Sequence, residues 1–587
     1  MSVPDNATDE PPINDEPVID DQPDDELPAL PEGQPVDVVI LGAGLHGAGL
    51  FRDLCAQGVS CLIVDKGDFG SGASAASSRL VEGGLAELEI GDLQGADLAA
   101  AERNRLLKIA PHCVETLPVV FPVFSRMGGL WALLRTLAGS PTVPRHRGSI
   151  LARIGLALHD RTGARHGGIP PHVLLGRQRA LADPLGLPAG VAAAGIYHDA
   201  RITAPERFVY ELVRDGLDAC PEAEAASWTS LVACIGGQLA FERDDGSQFV
   251  VRPTLVVNAA GAWIDEVNTA LGAPSELAVV RKRTHVLLDQ EDLRRRLDGR
   301  ILRFEAPDAG PGRGWLCTAQ DYFGRVLVGA TDAPTDDPDD SRCDDADVET
   351  LLGSLRALLP DLQFGADQIV HATAGIYALP ASDDATGGKP GRGSSMPVVE
   401  PDADRAFPIL SLVGGRWTTY RAFAERATDR ILRRLKRSRL TSTDHLAVGG
   451  GRNYPGNPLA RSVWLAEGSV ATWLDEPRLE ALLERYGTTA LAIAHHRCDY
   501  SDGERLPDAR STSLKEIDWI ARNEDVVRLE DIVLRRTNLA VTGMLTARDI
   551  EAIAIVAAAA LRWSPERRST EIAAVTKTLT ETRRMRL

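Results

Sequence analysis

Gly42, Gly44 and Gly47 stand in G-x-G-x-x-G spacing, directly after the apolar run VDVVIL (36–41) and before a helical pattern. In such a strand–turn–helix setting the first glycine permits the tight turn. The second lets the backbone approach a pyrophosphate, and the third brings helix and sheet close together. The helix N-terminus then offers N–H groups and the positive end of its dipole to phosphates. A second apolar run, VSCLIVD, ends on Asp65, where a carboxylate can accept from ribose hydroxyls. Glycines, strand context and terminal acid together predict a dinucleotide site.

The chain continues as DFGSGASAASSR (68–79), a loop of small and hydroxyl residues. Such a loop suits a cofactor that extends past its pyrophosphate, as a flavin does; taken alone it reads equally as a flexible linker. It leads into SSRLVEGGLAELE (77–89), where a hydroxyl pair, a base and a Gly pair are interleaved with Glu82, Glu87 and Glu89. Those acids are unexpected beside an anionic substrate.

The elements that must position these residues exceed one core, since 587 residues call for two or more domains. The alternation of buried-strand and helical patterns predicts an α/β fold. A Rossmann-like dinucleotide domain over 35–440 is interleaved with a mixed-sheet substrate domain, at roughly 195–253 and 275–375. Helical patterns from about 460 onward, such as 514–537 and 546–562, predict a helical domain over 441–587. Residues 1–36 carry eleven acids and no Lys or Arg, leaving eight of the net −19 charge to the rest. The leader 1–34 is therefore expected to be disordered, and it lacks the basic and apolar regions of a signal peptide.

Eight cysteines without C-x-x-C spacing point to ordinary thiols in a reducing cytoplasm, and no metal site is expected. No long apolar run predicts a membrane span. From Leu117 to His166, however, seven Arg accompany a single acid, Asp160, and apolar groups such as Leu130 to Leu134. That stretch is read either as a basic face over a core helix or as a peripheral contact with the inner face of an anionic membrane. No nucleic-acid partner is expected.

Taken together the motifs resemble the FAD-dependent glycerol-3-phosphate dehydrogenases, within the D-amino-acid-oxidase-like flavoproteins. That family's T-S-S-x-S-S-K-L-I-H-G-G-L-R-Y signature is similar to ASAASSRLVEGGLAE (73–87). YHDARI (197–202), VVNAAGAW (256–263), GATD (329–332), GGRWTTYR (414–421) and NEDVVRLEDIVLRRT (523–537) resemble later family segments in order. The resemblance implies FAD, contacted by Gly42, Gly44, Gly47, Asp65, Ser74, Ser77, Ser78, Arg79, Gly83, Gly84, Gly261, Gly415 and Thr418. It also implies hydride removal from a CH–OH group to the flavin, with electrons passing on to a quinone, oxygen or another acceptor. The family's K-G-S-H element is similar to Lys282–His285, making His285 the expected catalytic base, a role its ordinary pKa suits.

The match fails where the family grips phosphate. Ala86 and Glu87 replace an Arg-Tyr pair, Tyr377 replaces an Arg, Glu82 replaces a His, and Arg416 replaces a Lys. Charge-assisted hydrogen bonds contribute about 1.5–3 kcal/mol each, so losing two predicts phosphate binding weakened about 10²- to 10⁴-fold. Glu82, Glu87, Tyr377, Arg416 and Arg283 are thus the expected substrate contacts, with Arg281 and Arg283 as a relocated anion clamp or as solvated arginines. Three readings follow: a glycerol-3-phosphate dehydrogenase with a rebuilt phosphate site, a flavoenzyme for another alcohol, hydroxy acid or amine, or a FAD-binding scaffold without turnover.

Overall fold

The structure is a computed structural model that describes residues 32–127, 148–167, 169–306, 316–381 and 393–587. The acidic leader, apart from its last residues, and Leu130–Leu134 lie outside them. The described chain holds two large sheets with helices packed on them, and a helical C-terminal part.

The first sheet is built on the strand Gln34–Leu41, which lies parallel between Cys61–Val64 and Gln248–Asn258. Alternate residues of one apolar run serve two faces, which is why the run is continuous. Val38 and Ile40 pack with the helices Leu45–Ala56, Pro205–Ala219 and Tyr420–Arg434, while Val39 and Leu41 pack on the opposite side with Phe241, Phe407 and Ile409. Parallel strands buried on both faces place the glycine turn at their C-terminal ends, the crevice where such sheets bind ligands.

The second sheet is mixed and ten-stranded. It gathers the strands of 278–380 expected for a substrate domain, together with Leu80–Val81, Val114–Val123 and Ala193–Ile202. The expected substrate segment 195–253 needs correction. Only Ala193–Ile202 joins the second sheet, whereas Glu224–Ala226, Thr229–Ile235, Gln238–Arg243 and Gln248–Asn258 belong to the first. The physical reason is that Gln248–Asn258 is one long strand. Its beginning pairs antiparallel with Gln238–Arg243 and its length runs parallel to Gln34–Leu41, so a hairpin extends the nucleotide sheet.

The C-terminal part is helical and has its own core, from Leu465 to Met585. The expected helix 514–537 is two pieces, Leu514–Asn523 and Asp531–Arg536, separated by a non-helical stretch. Buried ion pairs fasten this part to the rest: Arg535 and Arg536 both hold Asp68, at the start of the Ser-rich loop, at 2.5 and 2.6 Å. Arg207 likewise pairs with Glu524 at 2.8 Å. Among the described residues no helix is long and apolar enough to cross a membrane.

Candidate active site

One cavity of about 2840 Å³ runs from the glycine turn to the face of the second sheet. At its nucleotide end Gly42 has φ +105 and lies against the Ala259–Ala260 backbone, so a side chain is excluded twice over. Asp65 accepts from the N–H groups of Ala43 and Gly67 at 2.7 and 2.9 Å, and burial pushes its pKa up to about 6. Ser74 Oγ accepts from Leu45 N–H at 2.9 Å, pinning the Ser-rich loop to the helix start. Gly44, Asp65, Ser74, Ser77, Ser78, Gly261, Gly415 and Thr418 all line the cavity.

Four predicted cofactor residues, Gly47, Arg79, Gly83 and Gly84, do not line it. Gly47 packs the helix on the Gly42 carbonyl. Arg79 is buried and turned into the protein, donating to both carboxylate oxygens of Glu206 at 2.8 and 3.0 Å. Gly83 leaves room for the buried Arg103 guanidinium, which pairs with Asp199 at 3.1 Å, and Gly84 packs on the Ala96 backbone. A sequence motif beside a cofactor thus serves partly as the scaffold behind it.

At the other end, register assembles the chemistry. Arg303, Thr318, Gly329, His285 and Thr373 are successive cross-strand partners on five adjacent strands. Residues directly opposed across strands point to the same face, so these five form one row. Gly329 is required in it, because any Cβ there would collide with the His285 ring. His285 is 1% exposed, lines the cavity, and neither ring nitrogen has a hydrogen-bond partner. Burial, then the nearby Arg79 and Arg283, pull its pKa down to about 3.

Around this row the predicted substrate residues form ion pairs. Glu87, buried, pairs with Arg416. Asp332 pairs with Arg281 and, at 3.3 Å, with Arg283, whose guanidinium lies 3.9 Å over the Tyr377 ring. Arg281 and Arg283 are therefore partly neutralised rather than free clamps. Glu82 stands 3.9 Å from Arg303, a buried residue that also donates to Tyr197 Oη at 2.7 Å.

Sequence reasoning missed Arg303 and Arg583. Arg303 carries a faint signal, a lone base inside the apolar strand ILRFE; Arg583 carries none. It also missed His496, Cys498 and Asp518, which converge within 4.8 Å in the helical domain. There, Asp518 is already bonded to His496 at 2.7 Å and to Arg522 at 2.9 Å.

The residues present fit a flavin dinucleotide. A glycine turn and a ribose-side acid stand at one end of the cavity. At the other, buried polar atoms without partners on His285, Trp417, Arg583 and Glu87 belong to residues that line the same space.

Known proteins bear on this geometry. The family described as "FAD dependent oxidoreductase" matches residues 37–430, and "C-terminal domain of alpha-glycerophosphate oxidase" matches 441–568. The chain is 27% identical over 552 residues to glycerol-3-phosphate dehydrogenase 1 of Mycobacterium tuberculosis, covering 91% of this chain and 96% of that one. It is 24% identical over 565 residues to alpha-glycerophosphate oxidase of Streptococcus pneumoniae, covering 86% and 88%. In fold it is similar to the glycerol-3-phosphate dehydrogenase from Bacillus halodurans solved with FAD, at TM-score 0.69 and 19% identity, covering 93% and 95%.

Proposed function

We propose a substrate and mechanism for a chain that belongs to the FAD-dependent glycerol-3-phosphate dehydrogenase family of oxidoreductases: it oxidises the secondary alcohol of a small anionic polyol, with glycerol 3-phosphate, giving dihydroxyacetone phosphate, as the reference compound. As a FAD-dependent oxidoreductase it acts on a small molecule and hands electrons to an acceptor, which sets the scaffold reading aside. The observation carrying the substrate proposal is which guanidinium groups in the pocket have no carboxylate bonded to them directly. Glu87 and Asp332 are occupied by Arg416, Arg281 and Arg283, while Arg303 meets Glu82 only at 3.9 Å and Arg583 is hydrogen-bonded to a threonine hydroxyl, with no carboxylate directly bonded to it among the described residues. A guanidinium with free donors near a neutral base favours an anion carrying a hydroxyl.

FAD, when bound, supplies hydride acceptance. His285, held neutral by burial, takes the hydroxyl proton on a ring nitrogen as the carbinol C–H bond breaks, so one proton and one hydride leave together. Gly329 sets the ring's position by leaving space for it. A guanidinium close to His285 orients the anion.

A second reading, oxidation of another alcohol, hydroxy acid or amine, is favoured by the Glu87–Arg416 pair, which occupies a cation the family's substrate would use. Anaerobic flavin bleaching decides between them. Rapid bleaching by glycerol 3-phosphate supports the first, and bleaching only by uncharged alcohols, hydroxy acids or amines supports the second.

For the acceptor we propose a quinone reached at a membrane surface, in a protein placed in the cytoplasm. The helix Ser149–Arg165 supports peripheral contact: Ile150, Ile154 and Leu158 are exposed at one-turn spacing, the last two where the helix also lines the cavity, beside Arg153, Arg161 and Arg165. Salt-sensitive sedimentation with anionic vesicles is the expected result, and no binding at low salt would refute it.

A further inference from the structure

The chain's last residues return from the helical domain to the cavity. After the final helical turn, Thr578–Thr582, Arg583 lines the same space as His285. Its Nη1 donates to Thr373 Oγ1 at 2.8 Å. Thr373 is the direct cross-strand partner of His285, and opposed residues lie about 4.5–5.5 Å apart at their Cβ atoms. The guanidinium therefore stands at one end of the row whose other end is Arg303, with His285 between them.

Its attachment is rigid on both sides. The Arg583 carbonyl accepts from Ala372 N–H at 2.7 Å, extending the contact with the His285 sheet. Arg584 donates to the Cys343 carbonyl at 3.0 and 2.7 Å, and Met585 is buried in the helical core, its N–H donating to the Leu579 carbonyl. A side chain held this way loses little freedom when it meets a ligand.

Its electrostatic position is unusual for this chain. Four buried arginines of this chain each hold a carboxylate directly, Arg79 with Glu206, Arg207 with Glu524, Arg535 and Arg536 with Asp68, whereas Arg583 is half-buried. Arg583 has a threonine hydroxyl and a buried Nε without a partner. Burial, then the neighbouring Arg535, push its pKa below the usual guanidinium value, with Glu530 and Glu206 acting the other way. A guanidinium with a buried N–H and no carboxylate bonded to it is costly to desolvate, and an arriving anion offsets part of that cost.

We propose that Arg583 is a substrate-binding residue, a guanidinium delivered by the C-terminal helical domain that holds the anionic group of the alcohol next to His285. This rests on the anionic-alcohol reading above and adds which residue performs the recognition. It also gives the helical domain a role in substrate selection.

The test uses holoenzyme and the variants Arg583→Ala, Arg583→Lys and Thr373→Val, with two readouts. One is anaerobic flavin reduction by glycerol 3-phosphate, separating half-saturation from limiting rate. The other is calorimetric titration of the oxidised enzyme with inorganic phosphate. Arg583→Ala is expected to weaken both half-saturation and phosphate binding about 10- to 100-fold, the value of a charged hydrogen bond, while the limiting rate falls much less. Arg583→Lys recovers part of the loss, and Thr373→Val, which only frees the side chain, weakens both several-fold. Should Arg583→Ala fail to fold, the other two variants carry the same comparison. Phosphate bound as tightly by the variants as by wild type overturns the proposal, as does a wild type that binds no phosphate. A wild type that binds phosphate through Arg583 but is not reduced by glycerol 3-phosphate leaves the proposal standing and refutes that substrate alone.

Discussion

Removing the imidazole of His285 tests the mechanism most directly, because its surroundings set both a rate and a pH profile. The ring is buried, and burial with Arg79 and Arg283 lowers its pKa from 6.5 to about 3. A drop of about 3.5 makes protonation in place about 5 kcal/mol harder than in water. The free enzyme thus presents a neutral base throughout the range in which an ordinary histidine would be lost to protonation. In kcat/KM, no inflection from His285 is expected between roughly pH 5 and 8. A bound anion offsets part of the repulsion from Arg283, so the pKa in the complex rises. Any inflection in the limiting rate of flavin reduction should then lie above the one in kcat/KM.

The assay is anaerobic stopped-flow flavin reduction across pH, for wild type and His285→Ala, with FAD content matched. The variant should be about 10²- to 10⁴-fold slower, the usual range for a lost general base. Stability supplies an independent readout. Below its ordinary pKa the histidine takes a proton in the unfolded chain but not in the folded one, so wild-type stability falls as pH drops from 6.5 toward 3. His285→Ala removes that contribution and should lose less stability over the same interval. A wild-type kcat/KM inflection near 6.5 that disappears in the variant would falsify the burial argument. An unchanged rate would remove His285 as the base.

Three further outcomes follow from the same geometry. Glu87→Gln should release Arg416 for substrate and lower KM for glycerol 3-phosphate several-fold. The effect is discounted from a full charged hydrogen bond because the Arg416 side chain is 33% exposed; a higher KM would mean that the pair binds substrate as a unit. Gly329→Ala places a Cβ in the His285 ring, and a drop in flavin reduction of about 10²-fold is expected from one misplaced catalytic group; near wild-type turnover would contradict the row arrangement. Asp68→Asn leaves Arg535 and Arg536 without their shared carboxylate and should cost about 3–5 kcal/mol in denaturant unfolding. A loss below about 1 kcal/mol would show that this network does not fasten the helical domain.

What could be read in advance separates cleanly by sequence distance. The placement of the glycine turn, Asp65 and the Ser-rich loop is legible because each is formed by contiguous residues: a strand end, a turn and a helix start. The acids at Glu82 and Glu87 are legible as departures, but their partners are not. Glu87 meets Arg416 from more than three hundred residues away, and composition cannot say whether a carboxylate repels a ligand or neutralises a neighbour. The hairpin at 229–243 falls within the expected substrate segment yet pairs into the first sheet, because alternation marks a strand without naming the sheet it joins. Arg79, Gly83 and Gly84 sit in the expected loop yet face away from the cavity, since spacing does not fix which way a side chain turns. The row from Arg303 through His285 to Thr373 depends on the register of five strands, and register follows from packing across the whole sheet. Arg583 is more remote still: its place is set by Met585 in one core and by Ala372 on another sheet. Pocket charge in this fold is therefore a sum over ion pairs formed between distant segments. For that reason the two replaced phosphate-site residues do not by themselves decide the substrate.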